Sequence, residues 1–63
     1  MENNYSYLGD VFIILRVDSK SKNVINVFSN QYAADDYAHR LNEAAKEAGF
    51  PWRFAVICRS LYE

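Results

Sequence analysis

The chain of 63 residues and 7.3 kDa carries 51% apolar, 16% aromatic and 24% charged side chains, which suffices for one globular domain and excludes two. A chain this short buries only about 60% of the surface of its unfolded form, which leaves no scaffold for a deep catalytic cleft and points away from a self-contained enzyme. Seven Lys and Arg against eight Asp and Glu give a formal charge of −1, without the basic surplus that draws a protein to phosphate backbones or anionic membranes.

Residues 1–9 show no periodic pattern and read as an N-terminal segment. Met1-Glu2-Asn3-Asn4-Tyr5 is acidic and polar where a signal peptide is basic and then apolar. The longest apolar run, Val11 to Leu15, is too short to span a bilayer, so a cytoplasmic location is expected. Residues 11–17, Val-Phe-Ile-Ile-Leu-Arg-Val, are dense in β-branched side chains and nearly continuous in hydrophobicity, which predicts a strand at the centre of a sheet. Polar, turn-forming residues 18–23 and a second apolar run at 24–28 then predict a β-hairpin.

A helix is predicted over residues 30–48. Ser29 or Asn30 can cap its free amides, and Asp35 and Asp36 are placed to favour its positive dipole end. Ala34, Tyr37, Ala38, Leu41, Ala44, Ala45 and Ala48 recur at three- and four-residue spacing and form a narrow, alanine-rich inward face. Gly49 supplies the left-handed residue that ends a helix, and Pro51 prevents its resumption. Residues 52–62 alternate as a third strand, with Trp52, Phe54, Val56, Cys58 and Tyr62 on one side and Arg53, Ala55, Ile57, Arg59 and Leu61 on the other. The whole of residues 1–63 is therefore one α+β domain of β-β-α-β order. A right-handed crossover from the second strand gives a three-stranded antiparallel sheet of order 2-1-3 with the helix on one face.

One helix covers one face of such a sheet. With Val11, Ile13, Leu15 and Val17 placed beneath it beside Trp52, Phe54 and Val56, the uncovered face consists of Phe12, Ile14, Arg16, Arg53, Ala55, Ile57, Arg59 and Leu61. Apolar and arginine side chains together are typical of interaction surfaces. One Trp, five Tyr and four Phe also exceed what so thin a core hides. Phe12, Ile14, Arg16, Arg53, Ile57, Arg59 and Leu61 are the candidate partner or oligomer interface. The competing reading is a lid of Tyr5, Tyr7 and Leu8 folded back over the same face.

Other chemistry is weakly supported. Asp35 and His39, four apart on the helix with Asp36 nearby, could offer two metal ligands but no third, and a solvated face with an Asp36–Arg40 ion pair is the simpler reading. Cys58 and His39 are the only thiol and imidazole, and Cys58 falls in the core register. Gly9 and Gly49 are too few for a phosphate-binding loop. No metal, cofactor or catalytic residue is expected. Arg16, Arg53 and Arg59 near Phe12 leave open a nucleic-acid surface or, across a symmetry axis, a site for a nucleotide-like ligand. Lys20 and Lys22 in the hairpin turn offer, at most, contacts for an acidic partner.

The segment Val24-Ile25-Asn26-Val27-Phe28-Ser29, followed by Tyr32-Ala33-Ala34-Asp35-Asp36-Tyr37-Ala38 and Leu41-Asn42, resembles the small β-β-α-β accessory proteins of bacteriophages and mobile elements over Val11 to Leu61. The resemblance is architectural. It implies a non-enzymatic protein that binds and modulates a host or defence protein, or one that sequesters a signal ligand. The sequence thus leads to the expectation of a homodimer or larger oligomer, with a host protein as its further partner, a nucleotide-like ligand as the alternative, and nucleic acid disfavoured.

Overall fold

The computed structural model describes residues 6–63 as β1 (Tyr7–Val17), β2 (Lys22–Phe28), α1 (Gln31–Ala48) and β3 (Arg53–Tyr62). The strands form one antiparallel sheet in the order β2-β1-β3, so the most hydrophobic strand lies in the middle and the fold is the expected α+β arrangement. No helix among the described residues is long and apolar enough to cross a membrane.

β3 begins at Arg53, one residue after the expected start, and the larger differences, at the starts of β1 and β2, come from cross-strand partners. β1 begins at Tyr7 rather than Val11, because Tyr7 pairs with Tyr62, Gly9 with Leu61 and Asp10 with Ser60. The Tyr7 and Tyr62 rings lie 5.7 Å apart, and Ser6 and Glu63 exchange backbone hydrogen bonds of 3.2 and 3.0 Å. Gly9 sits beside a register shift at φ 120°, a conformation that a residue with a Cβ rarely adopts. Tyr7 and Leu8 therefore continue the sheet and do not fold back as a lid, while Tyr5 lies outside the described residues.

β2 begins at Lys22 rather than Val24 and contains a β-bulge. Ile14 faces Asn26 and Leu15 faces Val24, which leaves Ile25 without a partner. The turn between the strands is fixed by Asp18, whose carboxylate accepts from the Lys20 and Ser21 amides at 2.8 Å each.

Asn30 is the helix cap, and its side chain accepts from the Ala33 amide at 3.1 Å. Asp35 and Asp36 lie beyond the first turn, which holds no acidic residue, so the expected dipole contribution is not made there. At the far end Gly49 is left-handed (φ 76°). Its N–H reaches Lys46 O at 3.2 Å and the Phe50 N–H reaches Ala45 O at 2.9 Å, the paired closing bonds of a Schellman motif.

The core is thin and joins small to large. Ile14 is completely buried together with Ala34 and Ala38, and Phe12, Phe28, Tyr37, Phe54 and Val56 pack around them. The phenyl ring of Phe28 lies 5.1 Å from the Tyr37 ring in a tilted pair. This reverses the expected faces of β1. Phe12, Ile14 and Arg16 lie on the covered side, paired with Cys58, Val56 and Phe54, whereas Val11, Ile13, Leu15 and Val17 lie on the open side. The physical reason is volume: a helix presenting alanine leaves space that phenyl and butyl side chains of the sheet must fill.

Candidate interaction surface

The open face is built by three strands that pair odd-numbered β1 residues with odd-numbered β3 residues. Val11 faces Arg59, Ile13 faces Ile57, Leu15 faces Ala55 and Val17 faces Arg53, and Gly9 faces Leu61. On the other flank Ile13 pairs with Val27, Leu15 with Val24 and Val17 with Lys22. No element among the described residues lies over this side, since α1 packs against the opposite one. Its rim is conspicuously apolar: Val24, Val27 and Leu61 are 62%, 50% and 45% exposed. Arg53, Arg59 and Lys22 frame it with positive charge.

Of the candidate residues, Arg53, Ile57, Arg59 and Leu61 are brought together on this face. Phe12, Ile14 and Arg16 are not, and Ile14 in particular is core. Arg16 instead serves within the chain: its guanidinium carbon stands 5.1 Å from the centre of the Trp52 ring, with its Nε buried and without a hydrogen-bond partner. Trp52, just ahead of β3, is half-buried and stacks on Phe50 at 4.5 Å and 18°. Together with Leu41, Ala44 and Ala48 these two rings line a shallow apolar hollow of about 290 Å³ at the end of the helix. A second, more polar cleft of about 750 Å³ opens between Asp18, Asn42, Pro51 and Arg53.

The sequence reading missed Val11, Ile13, Leu15 and Val17 as surface residues because both sides of β1 are apolar, so alternation carries no sign. The bulkier set, Phe12 and Ile14, was the available signal, since it matches the alanine face of α1. Asn42 was also missed as a structural residue. Its Nδ2 donates to Phe54 O at 2.9 Å and its Oδ1 accepts from Phe54 N–H at 2.8 Å, so one amide side chain occupies the outer edge of β3 at that residue. Both backbone groups of Phe54 thus face away from β1. By the two-residue alternation of an antiparallel ladder, those of Val56, Cys58 and Ser60 do the same.

Cys58 is an exposed free thiol opposite Phe12, on the helix side but not packed as expected. Asp36 and Arg40 form the expected ion pair at 3.0 Å on an exposed helix face, and no group of three His, Cys, Asp or Glu side chains among the described residues is placed to hold a metal. At the tip of the sheet the Tyr7 phenol donates to Asp10 Oδ1 at 2.8 Å and Ser60 Oγ donates to the same oxygen at 3.1 Å. That bond, made by the neutral phenol, holds the Tyr7 pKa above its ordinary value. No protein family model matches the chain, and no curated protein or solved structure matches it.

Proposed function

We propose that this chain is a non-enzymatic interaction protein that works as an oligomer and modulates or inhibits a host or defence protein by burying its open sheet face against it. The observation that carries this reading is the uncovered side of β1, where Val11, Ile13, Leu15 and Val17 lie in one row between Val24 and Val27 on one flank and Ile57 and Leu61 on the other. A patch of branched apolar side chains rimmed by arginine is the composition of a protein-binding core with a polar border. Sequestration of a nucleotide-like ligand, or binding of nucleic acid, is the weaker reading. It drew on three arginines sharing a face, and Arg16 is engaged with Trp52 on the other side.

Capture from cells of the native source, with Val24→Asp and Ile57→Asp beside the parent chain, tests the proposal. Proteins retained by the parent and lost by both variants, each of which keeps its circular dichroism, support it. An identical set of retained proteins on all three chains refutes it. A thermal shift with oligonucleotides and none with captured protein would move the reading to ligand sequestration.

A further inference from the structure

The charges of this chain are sorted by side. The protein carries a net charge of −1, yet Lys22, Arg53 and Arg59 all stand on the open face, and no carboxylate lies between them. Asp35, Asp36, Glu43 and Glu47 belong to α1, which covers the opposite side, and Asp10, paired with Ser60, lies on that side too. Asp18, at the turn after Val17, is committed to the Lys20 and Ser21 amides, and Glu63 comes two residues past Leu61 at the far end. The rim of the face is therefore cationic, with Arg53 and Lys22 flanking Val17 at one end of the β1 row and Arg59 beside Val11 at the other.

We propose that this face takes one amphipathic α-helix of a partner protein, with apolar side chains along its centre and Asp or Glu along its flanks and ends. This rests on the open face being the working surface of the proposed function, and names what it binds. Size selects a single helix. The axes of β2 and β3 stand about 10 Å apart across β1, the diameter of a helix with its side chains, and the row from Val11 to Val17 runs about 20 Å, or roughly four helical turns. The same sheet already holds one helix, α1, on its other side. Charge selects the partner, since carboxylates on the flanks of that helix meet Lys22, Arg53 and Arg59, whereas a second copy would bring three more cations to the same rim. A membrane surface would suit the cations, but no Trp, Tyr or Phe, the side chains that anchor proteins at that interface, stands among the paired residues of this face.

Two designed helical peptides of about 16 residues test this, both with the same leucine stripe at three- and four-residue spacing, one with Glu on its flanks and the other with Lys. In titrations of the full chain followed by nuclear magnetic resonance, the Glu peptide is expected to bind roughly tenfold tighter than the Lys peptide and to shift the amides of β1 and β3. Val24→Asp weakens the Glu peptide roughly tenfold. The chain carrying Lys22→Glu, Arg53→Glu and Arg59→Glu, all at exposed positions, prefers the Lys peptide. Should that chain fail to fold, salt at about 1 M is expected to erase the preference shown by the parent. Equal affinities for the two peptides at low salt, or a Glu peptide bound as well by Val24→Asp, overturn the proposal. If Val24→Asp still loses captured protein in that case, the open face keeps its function and only the acidic helix is lost; if it loses none, the proposed function fails with it. A dimer in light scattering that Val24→Asp dissociates would give the face to a second copy, and phosphatidylserine vesicles bound by the parent and not by Val24→Asp would give it to a membrane, and either result overturns the acidic helix.

Discussion

The side chain of Asn42 holds both backbone groups of Phe54, at 2.9 and 2.8 Å, and so fastens the outer strand to the middle of the helix across twelve residues of sequence. The amide acts as a fragment of a missing fourth strand, one donor and one acceptor spaced as a peptide would space them. Its removal leaves a part-buried N–H and C=O without partners. Asn42→Ala is therefore expected to lose about 2 kcal/mol in urea denaturation and to speed hydrogen exchange at the Phe54 amide ahead of its neighbours. A variant with unchanged stability and a still-protected Phe54 amide would show the clamp to be incidental.

Ile14 and Ile57 are both isoleucines in neighbouring strands, yet they face opposite sides. Ile14→Ala opens a hole against Ala34 and Ala38 and is expected to cost about 3 kcal/mol, a large share of the roughly 3–9 kcal/mol that a chain of this size possesses. Ile57→Ala, on the open face, is expected to cost under about 1 kcal/mol. Comparable losses at the two positions would mean that the open face is covered.

Gly49 separates backbone strain from crowding, since a Cβ built there meets no atom within 4 Å while φ is 76°. Gly49→Ala is expected to lose about 1 kcal/mol from the left-handed backbone alone. Gly49→Asn, which tolerates that conformation better, should recover part of it. Equal stability of all three chains in thermal melts would contradict the Schellman closure as the source.

Asp18 gives the acid limb of stability its sign. Amides of Lys20 and Ser21 bonded to its carboxylate hold its pKa below the ordinary 3.8. A group with a lowered folded pKa stabilises the native state above its unfolded value, and that contribution disappears as pH falls through the folded value. Asp18→Asn is thus expected to be less stable than the parent at neutral pH, with the gap closing as pH falls below about 4. For Tyr7 the sign reverses: its raised pKa makes its contribution complete below 10.0 and lost as pH climbs through the higher folded value. The slope of denaturation midpoint against pH, measured for Asp18→Asn and Tyr7→Phe, checks both.

Much of the fold could be read from local pattern, because its signals are local. The Asn30 cap, the Gly49 stop, the alanine stripe and the apolar run at Val11 to Leu15 each specify their own element, and the crossover rule orders the strands. What escaped was non-local. Tyr7 to Asp10 are ordered by partners fifty residues away, Ile25 is a bulge only relative to β1, and the side of the sheet that α1 selects depends on volumes summed over three strands. Half of the proposed contact surface was legible in the alternation of Arg53 to Leu61. The β1 half was not, since Phe12 and Val11 are both hydrophobic and only their size tells them apart.

Ile25 sets the character of the outer edge of β2. Deleting it would leave every other β1–β2 partner as it is and straighten the outer strand, giving the molecule two regular edges in place of one. The surplus isoleucine thus breaks the ladder on that edge, and Lys22 and the Asn26 side chain on the Val27 amide guard the same edge beside it.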